Sequence, residues 1–256
     1  MENCKLTEYS VYWKEKLMTL KRIYLTAIIF GCAAMVVSAQ TRTSRELSVE
    51  ESYLQQSVEL MIIREQSRSE SREMKQVALE YINDAINRGN TSDDIRAALE
   101  YLGTEGTINQ VRENGRLLNN YPDIRMKAAT YLGNLGTPEA KASLIKMCLA
   151  DNEPMVLTEV IKSLGRIGLN DNEDTVSAIS WIVTRFDVLN PDNMLALSAL
   201  EAYEKLAAAN GGIKDPSVIR TVMRIAEGPY IRIVQERAKQ TLSDLRQYGT
   251  QSSAQN

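Results

Sequence analysis

The most informative chemical feature of this sequence is that none of its 256 residues is histidine. Imidazole is the usual general base at neutral pH, the usual activator of serine and cysteine nucleophiles, and a common zinc ligand. Most designs for a hydrolytic or zinc-dependent site are therefore excluded. We predict a protein that is not an enzyme, with no catalytic residues, no cofactor and no bound metal.

Cys148 is the best remaining candidate for a nucleophile. It lies three and four residues after Ile145 and Leu144 on an apolar stripe. A reactive thiolate needs a group that lowers its pKa, and the sequence offers no histidine for that role. We therefore predict that Cys148 is a packed thiol in the core.

The acidic segment 171–174, Asp-Asn-Glu-Asp, alternates oxygen donors and suggests calcium binding. It departs from the calcium-loop template, because Val176 stands where the turn glycine is needed and Ile182 where a bidentate glutamate is needed. A helix is expected to start near Asn172, and carboxylates favour the first turn of a helix. We interpret the cluster as a helix start.

Arginines recur at four-residue spacing at Arg64, Arg68 and Arg72, and such a row could form a basic recognition edge. Acidic residues are interleaved with it, so we interpret the segment as a solvated, ion-paired helix face. The interleaved residues are Glu65, Glu70 and Glu73.

Trp181 is the aromatic residue with the clearest potential for binding. It points away from the apolar stripe of its own helix and lies nearer Val188. Packing on a second buried face would explain it, whereas an exposed tryptophan would be a good anchor for a partner. The apolar stripe of this helix consists of Val176, Ile179, Ile182, Val183 and Phe186.

Short helices must position these residues, because apolar residues recur at helical spacing and alternating β-branched runs bounded by turns are absent. A phrase centred on Leu-Gly, or on a large residue in place of Leu, returns along the chain. A period in this range is typical of a solenoid. The aligned positions are Leu102, Leu132, Leu164, Tyr203 and Leu242, at steps of 30, 32, 39 and 39 residues.

Prolines and glycines mark the expected helix ends. Proline is tolerated at the first helical position, and glycine readily adopts the left-handed conformation that closes a helix. We predict about eleven helices, in antiparallel pairs, from roughly residue 46 to residue 248. The helix starts are marked by Pro138, Pro154, Pro191 and Pro216, and the helix ends by Gly89, Gly136, Gly168 and Gly211.

Residues 124–140 read Ile-Arg-Met-Lys-Ala-Ala-Thr-Tyr-Leu-Gly-Asn-Leu-Gly-Thr-Pro-Glu-Ala. This segment resembles the HEAT repeats of the short, phycobilin-lyase-like type, and residues 156–168 keep the Leu-Gly-Arg-Ile-Gly ending of that pattern. The resemblance implies an all-α fold, an α-α superhelix in which antiparallel helical hairpins form a HEAT-like solenoid with N-terminal capping helices. It implies a fold rather than a specific activity.

In arrays of this type the Leu-Gly helices line the concave surface, and the resemblance carries their variable positions onto this sequence. The predicted surface is mildly basic at its centre, through Lys162, Arg166 and Lys205, and would complement a protein segment with an acidic middle. The alternative is that these are ordinary solvated positions. The predicted binding residues are Met126, Thr130, Asn134, Thr158, Lys162, Arg166, Leu197, Glu201 and Lys205.

The N-terminal segment predicts export. Lys21 and Arg22 precede an apolar run over 23–37, and small residues precede a polar stretch, which is typical of a secretory signal peptide cleaved between Ala39 and Gln40. The expected organisation is a start extension at 1–17, a signal peptide at 18–39, N-terminal helices at 40–90, a HEAT-like array at 91–249 and a disordered tail at 250–256.

Cys32 allows a second interpretation of the same segment, because it follows Gly31 in a sequence that loosely resembles a lipoprotein signal. The residues after a lipidated cysteine are normally polar, whereas residues 33–37 continue the apolar run. A lipid anchor at Cys32 is therefore the minority interpretation. The mature chain is expected to have no membrane span.

Charge limits the class of partner. Cleavage after Ala39 leaves 25 Lys and Arg against 30 Asp and Glu. A mildly acidic chain with interspersed charges provides no basic field for a phosphate backbone, so nucleic acid is not an expected partner. We predict an exported scaffold or adaptor that binds another protein in the periplasm or envelope of a diderm bacterium. The alternatives are a small-ligand or chromophore-handling lyase-like protein and a structural envelope lipoprotein.

Overall fold

A computed structural model of the chain describes residues 48–254. Ten α-helices, one short 3-10 helix and one two-stranded ribbon are found among these residues. The elements are α1 (Val49–Arg68), α2 (Arg72–Asn87), α3 (Asp93–Thr104), β1 (Arg112–Glu113), β2 (Arg116–Leu117), α4 (Pro122–Leu135), α5 (Pro138–Ala150), α6 (Pro154–Ile167), the 3-10 helix (Asp171–Glu173), α7 (Asp174–Leu189), α8 (Asn193–Asn210), α9 (Pro216–Glu227) and α10 (Arg232–Ala254).

The chain divides into one unit at residues 1–52 and a second at residues 53–256. In the described part of the first unit, the Ser48 hydroxyl accepts from the Glu51 N–H at 3.2 Å, and the Glu51 carboxylate accepts from the Ser48 N–H at 3.1 Å. This reciprocal capping box starts α1. The predicted start extension, the signal peptide, Cys32 and the predicted cleavage site at Ala39 and Gln40 lie outside the described residues.

The helices of the second unit alternate between two layers. The even-numbered helices from α2 to α10 each contact the next even-numbered helix, and the odd-numbered helices from α3 to α9 do the same. Helix α1 lies beside α3, where the Arg64 guanidinium donates to Asp94 at 2.9 Å. We call these the even layer and the odd layer. The predicted all-α superhelical solenoid is confirmed.

The first copy of the Leu-Gly phrase falls in the wrong layer. Leu102 lies in α3 of the odd layer, whereas the four later aligned positions lie in α4, α6, α8 and α10 of the even layer. The step of 30 residues from Leu102 to Leu132 therefore joins two layers. Leu102 and Gly103 still pack closely, because the Cβ position of Gly103 is 2.6 Å from the Met147 sulfur on α5, the next odd helix.

An irregular insert at residues 105–121 separates α3 from α4. It contains the antiparallel ribbon, in which Arg112 pairs with Leu117 and Glu113 with Arg116. The turn residues Asn114 and Gly115 both have positive φ, 48° and 81°, as a two-residue hairpin turn requires. The sequence analysis predicted no strand here, although the Asn-Gly pair is the signal that could have located this hairpin.

Buried charges fasten the insert to the helices. Lys75 on α2 pairs with Glu105 at 2.8 Å, and their side chains are only 1% and 5% exposed. Arg125 on α4 donates to the Glu105 carbonyl at 3.3 Å and pairs with Asp151, between α5 and α6, at 2.6 Å. Asp151 also accepts from the N–H groups that begin α6. The charges are therefore paired and hydrogen-bonded, as burial demands.

The even layer packs closely through small residues. A Cβ added to Gly133 on α4 would lie 2.6 Å from the Cβ of Ser163 on α6. A Cβ added to Gly165 on α6 would lie 2.9 Å from the backbone Cα of Ala202 on α8. The glycines of the repeated phrase thus permit helix approach, which sets the spacing of the layer.

The N-terminal helices differ from the sequence expectation in which face they bury. The predicted apolar stripe of α1 is largely exposed, and Leu60 and Ile63 contact the core instead. On α2, Ala78, Ile82 and Ala85 are buried as expected. Helical spacing located these helices, but the position of α3 decided which side is covered. The exposed residues of the α1 stripe are Tyr53, Leu54, Val58 and Met61.

Most predicted helix ends are found, and one is displaced. Gly136, Gly168 and Gly211 close α4, α6 and α8 with φ between 68° and 74°. Pro191 does not begin α8, because Asp192 caps this helix by accepting from the N–H groups of Met194 and Leu195. The last helix, α10, continues to Ala254, into the segment predicted as a tail.

Candidate protein-binding surface

The nine predicted binding residues lie on three successive even-layer helices, α4, α6 and α8. The tertiary structure therefore brings residues separated by about 80 positions onto neighbouring helices. Their exposure varies. Thr158 is buried, with 9% of its surface exposed, and offers little to a partner. Half-buried residues are Met126, Thr130, Lys162 and Leu197, and exposed residues are Asn134, Arg166, Glu201 and Lys205.

Arg166 is held by the neighbouring helix. Its guanidinium donates to the Thr130 carbonyl at 3.3 Å and to the Asn134 side-chain carbonyl at 3.0 Å. It also lies 3.8 Å from Glu159, whose carboxylate accepts from the Thr130 hydroxyl at 3.0 Å. Three predicted binding residues are thus joined to one another across α4 and α6. Arg166 is consequently a structural tie as well as a surface cation.

Three other predicted residues keep their charges available. Lys162, Glu201 and Lys205 have no salt bridge or side-chain hydrogen bond to any residue in the described part of the chain. Lys162 is on α6, and the other two are on α8. A charge that is not neutralised within the protein can pair with a partner at little cost of rearrangement. These lysines are the best electrostatic contacts on the predicted surface.

Sequence reasoning missed the carboxylates that organise this layer. Glu159 ties α6 to α4, and Glu204 ties α8 to α10 by accepting from Arg237 and from the Thr241 hydroxyl. Glu159 and Arg166 are seven residues apart, which places them on the same helix face. That spacing was a usable signal for the first tie. The second depended on how α10 packs.

Cys148 lies in the core with none of its surface exposed. Burial raises the pKa of the Cys148 thiol, and the nearby Arg185 guanidinium offsets this only in part. A neutral, inaccessible thiol is a poor nucleophile. The structure therefore gives Cys148 a packing role, as predicted.

The acidic segment 171–174 is occupied by a protein cation. The Lys141 ammonium lies 2.9 Å from Asp171 and 2.8 Å from Asp174. Desolvation opposes the charged form of Lys141, but hydrogen bonds to Asp174 and Asp171 outweigh it and raise the lysine pKa. The helix starts at Asp174 rather than near Asn172, because Asn172 and Glu173 both have positive φ. Among residues 48–254, no group of three or more Cys, Asp or Glu is arranged to hold a metal.

The arginine row on α1 and α2 is ion-paired, but its partners are on other helices. Arg64 pairs with Asp94 on α3 at 2.9 Å, and Arg72 pairs with Asp123 on α4 at 2.7 Å. Arg68 lies over the ring of Tyr101, 6.0 Å from its centroid. The interleaved glutamates were a misleading guide, because helix neighbours across the layers are closer than neighbours along the chain.

Trp181 projects from α7 with 46% of its surface exposed. It lines an open groove of about 450 Å³ between α7 and α9 in the odd layer, away from the even-layer residues. A lyase-like function would need a deep apolar pocket. This groove is instead open to solvent and is lined mainly by hydroxyl and charged side chains.

No helix of the described part of the chain combines the length and the apolar character that crossing a membrane requires. This finding covers residues 48–254 only, so the apolar run at 23–37 is not tested by it.

Comparison with known proteins supports the repeat architecture. A family model of HEAT repeats matches residues 116–187, from β2 into α7. No curated protein matches the sequence. A de novo designed 16-helix transmembrane nanopore, solved by cryo-EM, is similar at 14% identity over 79% of this chain, with a TM-score of 0.25. This chain covers only 64% of that designed protein, and the similarity carries no argument. Residues 116–187 are thus identified as HEAT repeats, within an all-α solenoid.

Proposed function

We propose that this protein is an exported, non-enzymatic scaffold that binds another protein through the even-layer surface of its solenoid. HEAT repeats commonly serve as protein-interaction scaffolds, and the match to this family covers α4 to α6 and most of α7. The phycobilin-lyase-like subtype remains a resemblance of the sequence alone. A periplasmic or envelope location in a diderm bacterium belongs to the same proposal.

The observation that carries the proposal is the uncompensated charge on Lys162 and Lys205. Both lie on neighbouring even-layer helices, α6 and α8, and neither has an acidic partner in the described part of the chain. Glu201 lies beside them on α8 and interrupts the positive field. A partner segment with acidic residues opposite the lysines would complement this pattern.

The test compares the full chain with a double charge reversal, Lys162→Glu and Lys205→Glu, as baits for affinity capture from the native envelope. Because like charges across an interface are repulsive, we expect the specifically captured protein to fall by about tenfold or more. Quantitative mass spectrometry of the captured protein measures this change, and circular dichroism checks that the helical content is retained.

The matched control reverses two exposed cations elsewhere, Arg116→Glu on the ribbon and Lys214→Glu between α8 and α9. The control should retain the partner. Equal capture by both double variants would reject the even-layer surface as the binding site. Arg166 is avoided, since its reversal would place a glutamate beside Glu159 and disturb α4 and α6 directly.

Export is tested separately by mass spectrometry of the mature N-terminus. A chain that begins at Gln40 would support signal-peptide cleavage, and an acylated Cys32 would support the lipoprotein alternative. A protein that retains residues 18–39 would contradict export through a cleaved signal. This measurement is independent of the partner experiment.

A further inference from the structure

The groove between α7 and α9 combines an exposed aromatic ring with charged and hydroxyl side chains. Its lining contains Trp181 and Ser177 from α7 and Asp215, Arg220 and Arg224 from α9 and its N-terminal cap. All of these residues belong to the odd layer or its adjoining loop. The groove is therefore separate from the even-layer surface, and a partner on one would leave the other free.

Trp181 is held as a preformed anchor. The Arg185 guanidinium lies 4.7 Å from the centroid of the Trp181 ring, within the range of a cation–π contact. Arg185 is itself fixed, since it donates to the Asp151 carbonyl at 2.8 Å. A ring held in this way loses little conformational freedom on binding, and exposed tryptophans of this kind contribute strongly to protein interfaces.

The acidic members of the groove are already engaged. Asp215 accepts from the Ser217 N–H at 2.8 Å and from the Ser177 hydroxyl at 2.7 Å. Desolvation opposes ionisation of Asp215, but these hydrogen bonds outweigh it and keep its pKa below the ordinary value. Its charge is thus committed to capping α9 and holding Ser177.

The cations are not equally engaged. Arg224 pairs with Asp187 through two nitrogens, at 3.0 and 2.7 Å. Arg220 is exposed and makes no salt bridge or hydrogen bond within the described residues. The Ser217 hydroxyl oxygen, also in the lining, is buried and has no hydrogen-bond partner among them. The groove therefore offers a free guanidinium and an unused hydroxyl near an exposed indole.

We propose that this groove binds an acidic segment of a partner protein, with an apolar side chain against Trp181 and a neighbouring carboxylate paired with Arg220. Guanidinium and carboxylate form strong, paired hydrogen bonds, and the indole supplies apolar contact area. A neutral saccharide would use the ring but would leave Arg220 unpaired. A nucleic acid is disfavoured by the net charge of −3.

The test titrates the full chain with a short fluorescein-labelled peptide in which glutamates flank a central phenylalanine. A counterpart replaces every glutamate with lysine. Fluorescence anisotropy should show saturable binding of the acidic peptide only. Arg220→Glu should weaken this binding by about tenfold or more, and Trp181→Ala by about thirtyfold, consistent with an arginine–carboxylate pair and an aromatic anchor.

Two controls separate this site from the even-layer surface. Lys205→Glu should leave the affinity for the acidic peptide unchanged, and Arg220→Lys should retain part of it. Equal binding of the lysine peptide, or unchanged binding by Arg220→Glu, would overturn the proposal. Quenching of Trp181 by a neutral oligosaccharide but not by the acidic peptide would also overturn it, in favour of a carbohydrate site.

Discussion

Two junctions within the solenoid are held together by different physics. At the insert junction, between α2 and α4, the chain leaves helical structure and four buried charges, Lys75, Glu105, Arg125 and Asp151, fill the space. At the junction of α6 and α8, regular helices meet at the backbone, because Gly165 lies against Ala202. The first junction is polar and irregular, whereas the second is apolar and periodic.

The difference shows what a repeat supplies and what its interruption costs. A regular helical hairpin presents small residues at the contact, and its backbone hydrogen bonds are satisfied inside the helix. The insert at 105–121 presents irregular backbone, whose carbonyls need other donors. Arg125 supplies such a donor to the Glu105 carbonyl. Buried charge thus compensates where helical structure stops.

The largest expected effect comes from breaking the buried pair at the insert junction. Glu105→Ala leaves the Lys75 ammonium buried, with the Ser67 carbonyl at 3.5 Å as its remaining hydrogen-bond acceptor. Removing one partner of a buried ion pair costs about 3–5 kcal/mol, because the other charge is left uncompensated. Urea unfolding followed by circular dichroism measures this loss in the free energy of unfolding.

Two variants calibrate that result. Arg64→Ala breaks the exposed pair with Asp94, where both side chains are more than half exposed, and should cost less than about 1 kcal/mol. The double variant Lys75→Met with Glu105→Leu removes both buried charges and should recover most of the stability. A Glu105→Ala cost no greater than that of Arg64→Ala would show that the buried pair does not hold the junction.

The smaller effect comes from crowding the α6–α8 junction. Gly165→Ala places a Cβ 2.9 Å from the Ala202 Cα, and a backbone atom cannot move aside alone. The strain of overpacking, about 1–3 kcal/mol, outweighs a gain in helix propensity of about 1 kcal/mol. We expect a net loss of about 1–2 kcal/mol in the free energy of unfolding, measured in the same urea titration.

Gly103→Ala is the matched control for this substitution. Its new Cβ would lie 2.6 Å from the Met147 sulfur, but a methionine side chain can change rotamer. The helix-propensity gain should then roughly balance the strain, and the net change should stay within about 0.5 kcal/mol. If Gly103→Ala were the more harmful of the two, backbone proximity would not be what limits Gly165.

Much of the fold was predictable, because repeated helices are encoded locally. Apolar spacing located the helices, and Gly136, Gly168 and Gly211 marked three ends that the structure confirms. The insert at 105–121 was missed, since its anchoring partners, Lys75 and Asp151, are far from it in sequence. Long-range ion pairs leave no periodic signal.

The candidate sites were predictable only as faces. The register of α4, α6 and α8 placed the nine predicted residues on adjacent helices, but it could not show that Arg166 is held by Asn134 and Glu159. Trp181 was singled out from its position off the apolar stripe. Its exposure depended on the separation of α7 and α9, which no local pattern contains.

The sequence by itself determined the chemistry that this protein lacks and the helical period that it has. The absence of histidine follows from composition, and the period follows from the recurrence of Leu-Gly at Leu132 and Leu164. Only the tertiary structure decided which layer each helix joins, which arginines are already paired and which, like Arg220, remain available. The physical reason is that helix formation depends on neighbours along the chain, whereas pairing and exposure depend on neighbours in space.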